Sequence, residues 1–151
     1  MPSQSYITQD HLDKIQGFYD SAPVKLGWAA RSYRKLLAHY YNLLIPSRSS
    51  VLEIGCASGE LLAEIKAARK VGVDLSPRQI ETAKKLLPAD DFHIQSGEAL
   101  NLDEKFDVII LSDTLNLAAD VQQIFAQIQK VSHENTRLIV NYYSSLWRPI
   151  L

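Results

Sequence analysis

The sequence predicts an α/β fold: a doubly wound parallel sheet of about five strands, with two helices ahead of it. Three observations carry that expectation. Short apolar runs such as Val51–Ile54 and Phe106–Leu111 are continuous rather than alternating, as in strands buried on both faces. Segments of helical period separate them, and strands that alternate with helices build parallel sheets through right-handed crossovers. The first strand runs through Glu53 into the turn Gly55-Cys56-Ala57-Ser58-Gly59 and then directly into an amphipathic helix. Such a strand-turn-helix, followed by an acid at the next strand tip, is how a Rossmann-like sheet holds a nucleoside.

The elements follow in order. Leu12, Ile15, Phe18 and Tyr19 recur at helical spacing, and Ser21-Ala22-Pro23 breaks that helix. Tyr33, Leu36, Leu37, Tyr40, Tyr41 and Leu44 define a second helix, ended by Pro46-Ser47-Arg48-Ser49. Strand Val51–Ile54 leads into a helix over roughly Gly59–Ala68, then strand Lys70–Val73, closed by Asp74. Ser76-Pro77-Arg78-Gln79 starts the next helix with a capping serine, a proline at the first helical position and a glutamine three residues after the cap. Ile80, Ala83 and Leu87 form its inner stripe. Phe92–Ile94 is a short strand and Phe106–Leu111 a buried one. Val121, Ile124, Phe125 and Ile128 mark the helix after it, and Leu138–Val140 with Tyr142 and Tyr143 a fifth strand. Residues 1–50 are expected to form a helical lid or cap, and residues 51–151 the cofactor-binding core.

At 151 residues, 46% hydrophobic and 22% charged, the chain has the make-up of one globular domain with a real core. Its net charge of -1 supplies no field for nucleic acid or an anionic membrane surface, so neither is an expected partner. No apolar run approaches the ~18 residues of a membrane span. Met1–Ser5 lacks the basic-then-apolar pattern of a secretory leader. The single cysteine, Cys56, excludes an internal disulfide framework and fits a reducing compartment, so the expected location is the cytoplasm. His11, His39, His93 and His133 lie far apart, and no metal site is expected. The apolar ending, with Leu146, Trp147, Ile150 and Leu151, points to one of two arrangements. Either a fused C-terminal domain covers the hydrophobic edge of the fifth strand, or a dimer does.

The turn selects among nucleoside cofactors. A dinucleotide loop requires Gly-x-Gly-x-x-Gly, and counted from Gly55 the second and third glycines are replaced by Ala57 and Glu60. Glu60 also sets a carboxylate in the first helical turn, where a pyrophosphate needs the positive helix end. With no Lys or Arg in the turn, polyphosphate is poorly served. A ligand with no phosphate and a positive centre fits better, and S-adenosylmethionine is one: adenosine, a sulfonium cation and an amino acid. Glu53 is placed to face its ammonium end, and Asp74 to accept both ribose hydroxyls. After the third strand, Glu98 is placed to accept from the adenine amine while the Ala99 N–H donates to the ring. Gly55, Cys56, Ala57 and Gly59 bring backbone close to the ligand. A positive φ at Ala57 would cost ~1 kcal/mol.

Taken together, these segments resemble class I S-adenosylmethionine-dependent methyltransferases. Val51–Leu62 resembles their first motif, Glu/Asp-x-Gly-x-Gly-x-Gly, with Ala57 in place of the middle glycine. Val71–Lys84 resembles the second, an acid followed by Ser-Pro and a helix. Phe92–Leu102 resembles the adenine-binding stretch. Phe106–Val121, with Ser112-Asp113-Thr114-Leu115-Asn116, resembles the fourth-strand motif. The N-terminal helices and the segment Asn141–Trp147 are similar to methyltransferase domains that bacteria fuse to a family 2-type glycosyltransferase. The resemblance implies a methyltransferase with a small-molecule, sugar or lipid acceptor. It implies further cofactor contacts at Leu75, Ser112 and Tyr19, and the absence of the family's sixth and seventh strands.

Methyl transfer from a sulfonium is an in-line displacement in which the protein mostly aligns the reactants, and a general base is needed only for a hydroxyl or protonated amine. Asp113 is the candidate to touch the acceptor, with that catalytic duty, or to hold the methionine end; a loop-stabilising aspartate is the plainer alternative. Asn116 suits a turn. Cys56 reads as a small residue in a tight turn rather than a nucleophile. Tyr6, Tyr19, Trp28 and Tyr33 form either a lid or ordinary core. Two other functions stand beside the first. One is a non-catalytic module that binds the cofactor. The other, an NAD-dependent oxidoreductase, is disfavoured by Ala57, Glu60 and the lack of a Tyr-x-x-x-Lys pair.

Overall fold

The computed structural model describes residues 27–142 and Gly17. The expected first helix apart from Gly17, and with it Tyr19, lies outside the described residues, as do Tyr6 and the apolar ending. Helix α1 spans Trp28–Leu44 and strand β1 Ser50–Ile54. They are followed by α2 (Glu60–Glu64), β2 (Arg69–Asp74), α3 (Pro77–Leu86), β3 (Asp91–Ile94) and β4 (Phe106–Ser112). A 3-10 turn at Leu115–Leu117, α4 (Val121–Lys130) and β5 (Ser132–Asn141) complete the order. All pairings are parallel and the sheet order is β3-β2-β1-β4-β5. The five-stranded Rossmann-like sheet of the sequence expectation is therefore present.

The continuous apolar runs divide between two cores because successive side chains point to opposite faces. Val51, Val108 and Ile110 pack with Leu61, Leu62, Ile80, Ala83 and Phe92 under α1, α2 and α3. Leu52, Ile54, Val71, Val73, Ile109 and Leu111 pack with Ile124 and Ile128 of α4 on the other face. Each such fully buried aliphatic side chain contributes ~1.5–3 kcal/mol. Gly72 lets β2 pass close beneath two of these groups: a Cβ there would lie 2.7 Å from both Cys56 Sγ and the Phe92 ring. Cys56 is thus a core residue as well as a turn residue, and burial pushes its thiol well above the ordinary value.

Helix α2 is shorter than the expected Gly59–Ala68. Asn42 of α1 ends it: its Nδ2 donates to Glu64 O at 2.8 Å, and its Oδ1 accepts from Lys66 N at 2.8 Å. Ile65 is released into an extended conformation and buried. Helix α3 starts as expected, with Ser76 Oγ accepting from Gln79 N. Helix α4 is capped the same way by Asp120, whose Oδ1 accepts from Gln123 N. The buried face of α1 is Ala38, Tyr41 and Ile45, while Leu36, Tyr40 and Leu44 of its apolar stripe stay exposed. Trp28 is 83% exposed. Strand β5 is an edge on which no residue is fully buried.

Candidate functional site

The sheet order reverses direction between β1 and β4, and in an open parallel sheet ligands bind at such a switch point beyond the carboxyl ends of the strands. A cavity of about 130 Å³ opens there. Its floor is the turn after β1. Gly55 and Cys56 both donate backbone N–H to Val73 O of β2, at 2.8 and 3.0 Å. Gly55 has φ +78, and a Cβ on it would lie 2.5 Å from Thr114 Oγ1, which itself donates to Ile54 O. Only glycine fits that crossing of the β1 and β4 tips.

Ala57 has φ +45, the left-handed conformation that the sequence could state only conditionally. Asp74 holds it there, accepting the Ala57 N–H on Oδ2 at 2.9 Å and the Ser76 N–H on Oδ1 at 2.9 Å. The strain is local, so Ala57→Gly is expected to raise stability by ~1 kcal/mol and the melting temperature by ~2–4 °C. A melting curve unchanged or lowered by the substitution would show that contacts of the Ala57 methyl outweigh the backbone strain.

Around the cavity stand Asp74 and Leu75 from β2, Gln95, Ser96, Gly97 and Glu98 after β3, and Ser112, Asp113 and Thr114 after β4. Leu117, Ala118 and Ile124 form an apolar wall. Glu98 is buried, with Oε1 accepting the Ala119 and Asp120 N–H groups at 2.7 and 3.0 Å. Its Oε2 is buried without a hydrogen-bond partner. Ala99 is exposed outside the cavity lining, and its N–H donates to Ser96 O rather than standing free for an adenine ring. Cys56 and Gly59 likewise shape the turn without lining the cavity; Gly59, at φ +77, heads α2.

Glu53 lies behind the cavity, 1% exposed, with Oε2 lacking a partner. Burial raises its carboxyl to about 8; Arg34 partly offsets that rise, while Asp74 and Asp113 add to it. Asp113 is the second strained residue, at φ +58. Burial raises its carboxyl as well, against the lowering pull of Arg34 and of a bond from Asn141. Arg34 reaches in from α1, its Nη1 donating to Ser112 Oγ at 3.3 Å and lying 3.9 Å from Asp113 Oδ2. Tyr41 donates its hydroxyl to Asn141 Oδ1 at 2.7 Å, and burial pushes that phenol up to about 12.

Arg34 and Asn141 went unrecognised as site residues in the sequence. Nothing in the pattern separates Arg34 from Arg31 or Lys35 on the same helix, and Asn141 sits beyond the fourth-strand motif. Tyr19, an expected cofactor contact, lies outside the described residues. Among the described residues, no group of three His, Cys, Asp or Glu could hold a metal, and no helix is long and apolar enough to cross a membrane.

The methyltransferase domain family matches residues 45–148. Protein 235L of Invertebrate iridescent virus 6, whose name calls it a methyltransferase, is 26% identical over 125 residues, which is 75% of this chain and 47% of the viral protein. The bifunctional methionine biosynthesis protein MetXA/MetW of Rhodopirellula baltica is 29% identical over 100 residues, 58% of this chain and 16% of that protein. The chain therefore spans about half the length of one curated relative and much less of the other. Among solved structures, magnesium protoporphyrin IX methyltransferase from Synechocystis, with bound S-adenosylmethionine, superposes with a TM-score of 0.67 at 15% identity. That match covers 92% of this chain and 82% of the other. At such identity the likeness is one of fold.

Proposed function

The chain belongs to the methyltransferase domain family, and from that premise we propose that it binds S-adenosylmethionine and transfers its methyl group to a small-molecule, sugar or lipid acceptor. One observation supports this most. Glu53 Oε2, Glu98 Oε2 and Asp113 Oδ2 are all buried without a hydrogen-bond partner at or beyond the carboxyl ends of three strands, Glu53 behind the cavity and Asp113 Oδ2 3.9 Å from Arg34 Nη1. Buried acceptors left unpaired are costly. An occupant with an ammonium group, a sulfonium and an adenine amine satisfies them; a pyrophosphate would be repelled. The likeness of Asn141–Trp147 to domains fused to a family 2-type glycosyltransferase favours a saccharide or lipid-linked acceptor.

When bound, the cofactor supplies a methyl carbon already activated by positive sulfur. The chain's residues do the rest. Asp74 accepts the Ala57 and Ser76 N–H groups, and as the acid that closes β2 at the cavity it is the residue to accept the ribose hydroxyls. Leu75, Leu117 and Ala118 keep water from the adenine, and Glu98 Oε2 accepts from its amine. At the other end, Arg34 takes the carboxylate, while Glu53 and Asp113 Oδ2 take the ammonium. With a hydroxyl or protonated-amine acceptor, Asp113 is also the nearest group to receive a proton.

Isothermal titration of the whole chain tests this. S-adenosylmethionine and S-adenosylhomocysteine are expected to bind and NADH not to. A chain shown folded by circular dichroism that takes up neither ligand at millimolar concentration would overturn the proposal.

A further inference from the structure

Asp113 is held in its left-handed conformation by one residue of the neighbouring strand. The Asp113 N–H donates to Asn141 O at 3.1 Å, and Asn141 Nδ2 donates to Asp113 Oδ1 at 2.9 Å. The amide can face only one way, because a carboxylate accepts and does not donate. Its Nδ2 must therefore face Asp113, and its Oδ1 must take a donor. Tyr41 provides that donor at 2.7 Å. Its ring is buried in the core with Ala38 and Ile45, so α1 supplies the donor that this amide orientation requires. The same Nδ2 also donates to the Tyr33 hydroxyl, Oη, at 3.1 Å. With Oδ1 so occupied, Asp113 Oδ2 faces the cavity as a buried acceptor without a hydrogen-bond partner, with Arg34 Nη1 3.9 Å away.

We propose that Asn141, aimed by Tyr41, is a positioning residue: it clamps Asp113 so that Oδ2 is presented to the amino group of the cofactor. The inference rests on the methyltransferase reading above. Strained backbone at a binding site persists only where neighbours over-determine it. Asn141 supplies that constraint with two hydrogen bonds to one aspartate.

A double-substitution cycle on S-adenosylmethionine affinity, measured by titration calorimetry with the full chain, tests the clamp. Asn141→Leu is expected to weaken binding about tenfold, and Tyr41→Phe about threefold. Tyr41→Phe leaves the ring in the core, so it carries the test should Asn141→Leu fail to fold. In an Asp113→Ala background both substitutions are expected to have no further effect, because the clamp then holds nothing. Equal losses with and without the Asp113 carboxylate would make Asn141 a merely structural residue and overturn the proposal. Separately, an Asp113→Ala chain that binds as tightly as the parent would remove Asp113 from the cofactor and overturn the proposal from that side. Failure of the parent chain to bind at all would instead defeat the methyltransferase function.

Discussion

Glu53→Gln is expected to stabilise the ligand-free chain and to abolish most cofactor binding. The Glu53 carboxyl lies near pH 8 in the folded chain, chiefly through burial, against 4.5 as its ordinary value. Between those two values the unfolded chain releases the proton and the folded chain keeps it. Stability therefore falls as pH rises through that window, by up to ~1.4 kcal/mol per unit, and is flat above it. Glutamine has no proton to lose. The variant is thus expected to melt close to the parent at pH 5 and well above it at pH 8. At up to ~1.4 kcal/mol per unit the gap opened between pH 5 and pH 8 is at most ~4 kcal/mol, or ~8–16 °C in melting temperature. Binding runs the other way. An ammonium group requires Glu53 ionised, so below pH 8 binding releases a proton and affinity climbs with pH. Titration in buffers of different ionisation enthalpy is expected to show that release in the parent and not in the variant. A melting-temperature difference that does not change between pH 5 and pH 8 would show that Glu53 is not held neutral.

The sheet was legible because its determinants are local. Val51–Ile54 and Phe106–Leu111 advertise burial on both faces, and Ser76 with Pro77 advertises a helix start. Glu53, Asp74, Glu98 and Asp113 stood out because each is an acid at or just past a strand end, and the parallel sheet brings all four strand ends to the same edge. What stayed hidden depends on contacts between distant segments. The end of α2 is decided by Asn42, more than a turn's distance away in another helix, and no count of apolar positions within residues 59–68 contains it. Which side of the α1 stripe is buried depends on where β1 and β4 present Val51 and Ile110. The Ala99 N–H is taken by Ser96 O because residues 95–105 form a loop in place of a helix, braced by Gln95 against Asn101. Asn141 becomes part of the site only through pairing of β5 with β4, which sets it opposite Ser112. The strain at Ala57 was a conditional statement until φ fixed its sign.

Asp74→Ala is expected to cost both binding and stability, and the two losses have separable causes. The ribose loses an ionised acceptor, and hydrogen bonds to charged groups are worth ~1.5–3 kcal/mol each. Affinity for S-adenosylmethionine should therefore fall on the order of a hundredfold or more. The turn loses its anchor as well, because the Ala57 and Ser76 N–H groups both end on this carboxylate. A donor that loses its acceptor and stays out of water costs ~1–3 kcal/mol, less at half-buried Ala57 than at buried Ser76. Part of that anchoring holds Ala57 at its positive φ, so the stability losses are coupled. In an Ala57→Gly chain the turn is strain-free, and Asp74→Ala should cost less stability there than in the parent. The binding loss should be undiminished, since glycine restores no ribose contact. Thermal melts and calorimetry on the four chains of that cycle check both halves. Equal stability losses in the two backgrounds would mean that Asp74 does not hold Ala57 in strain. Parent-like affinity in Asp74→Ala would mean that the ribose is held elsewhere, and that the acid closing β2 is there for the turn alone.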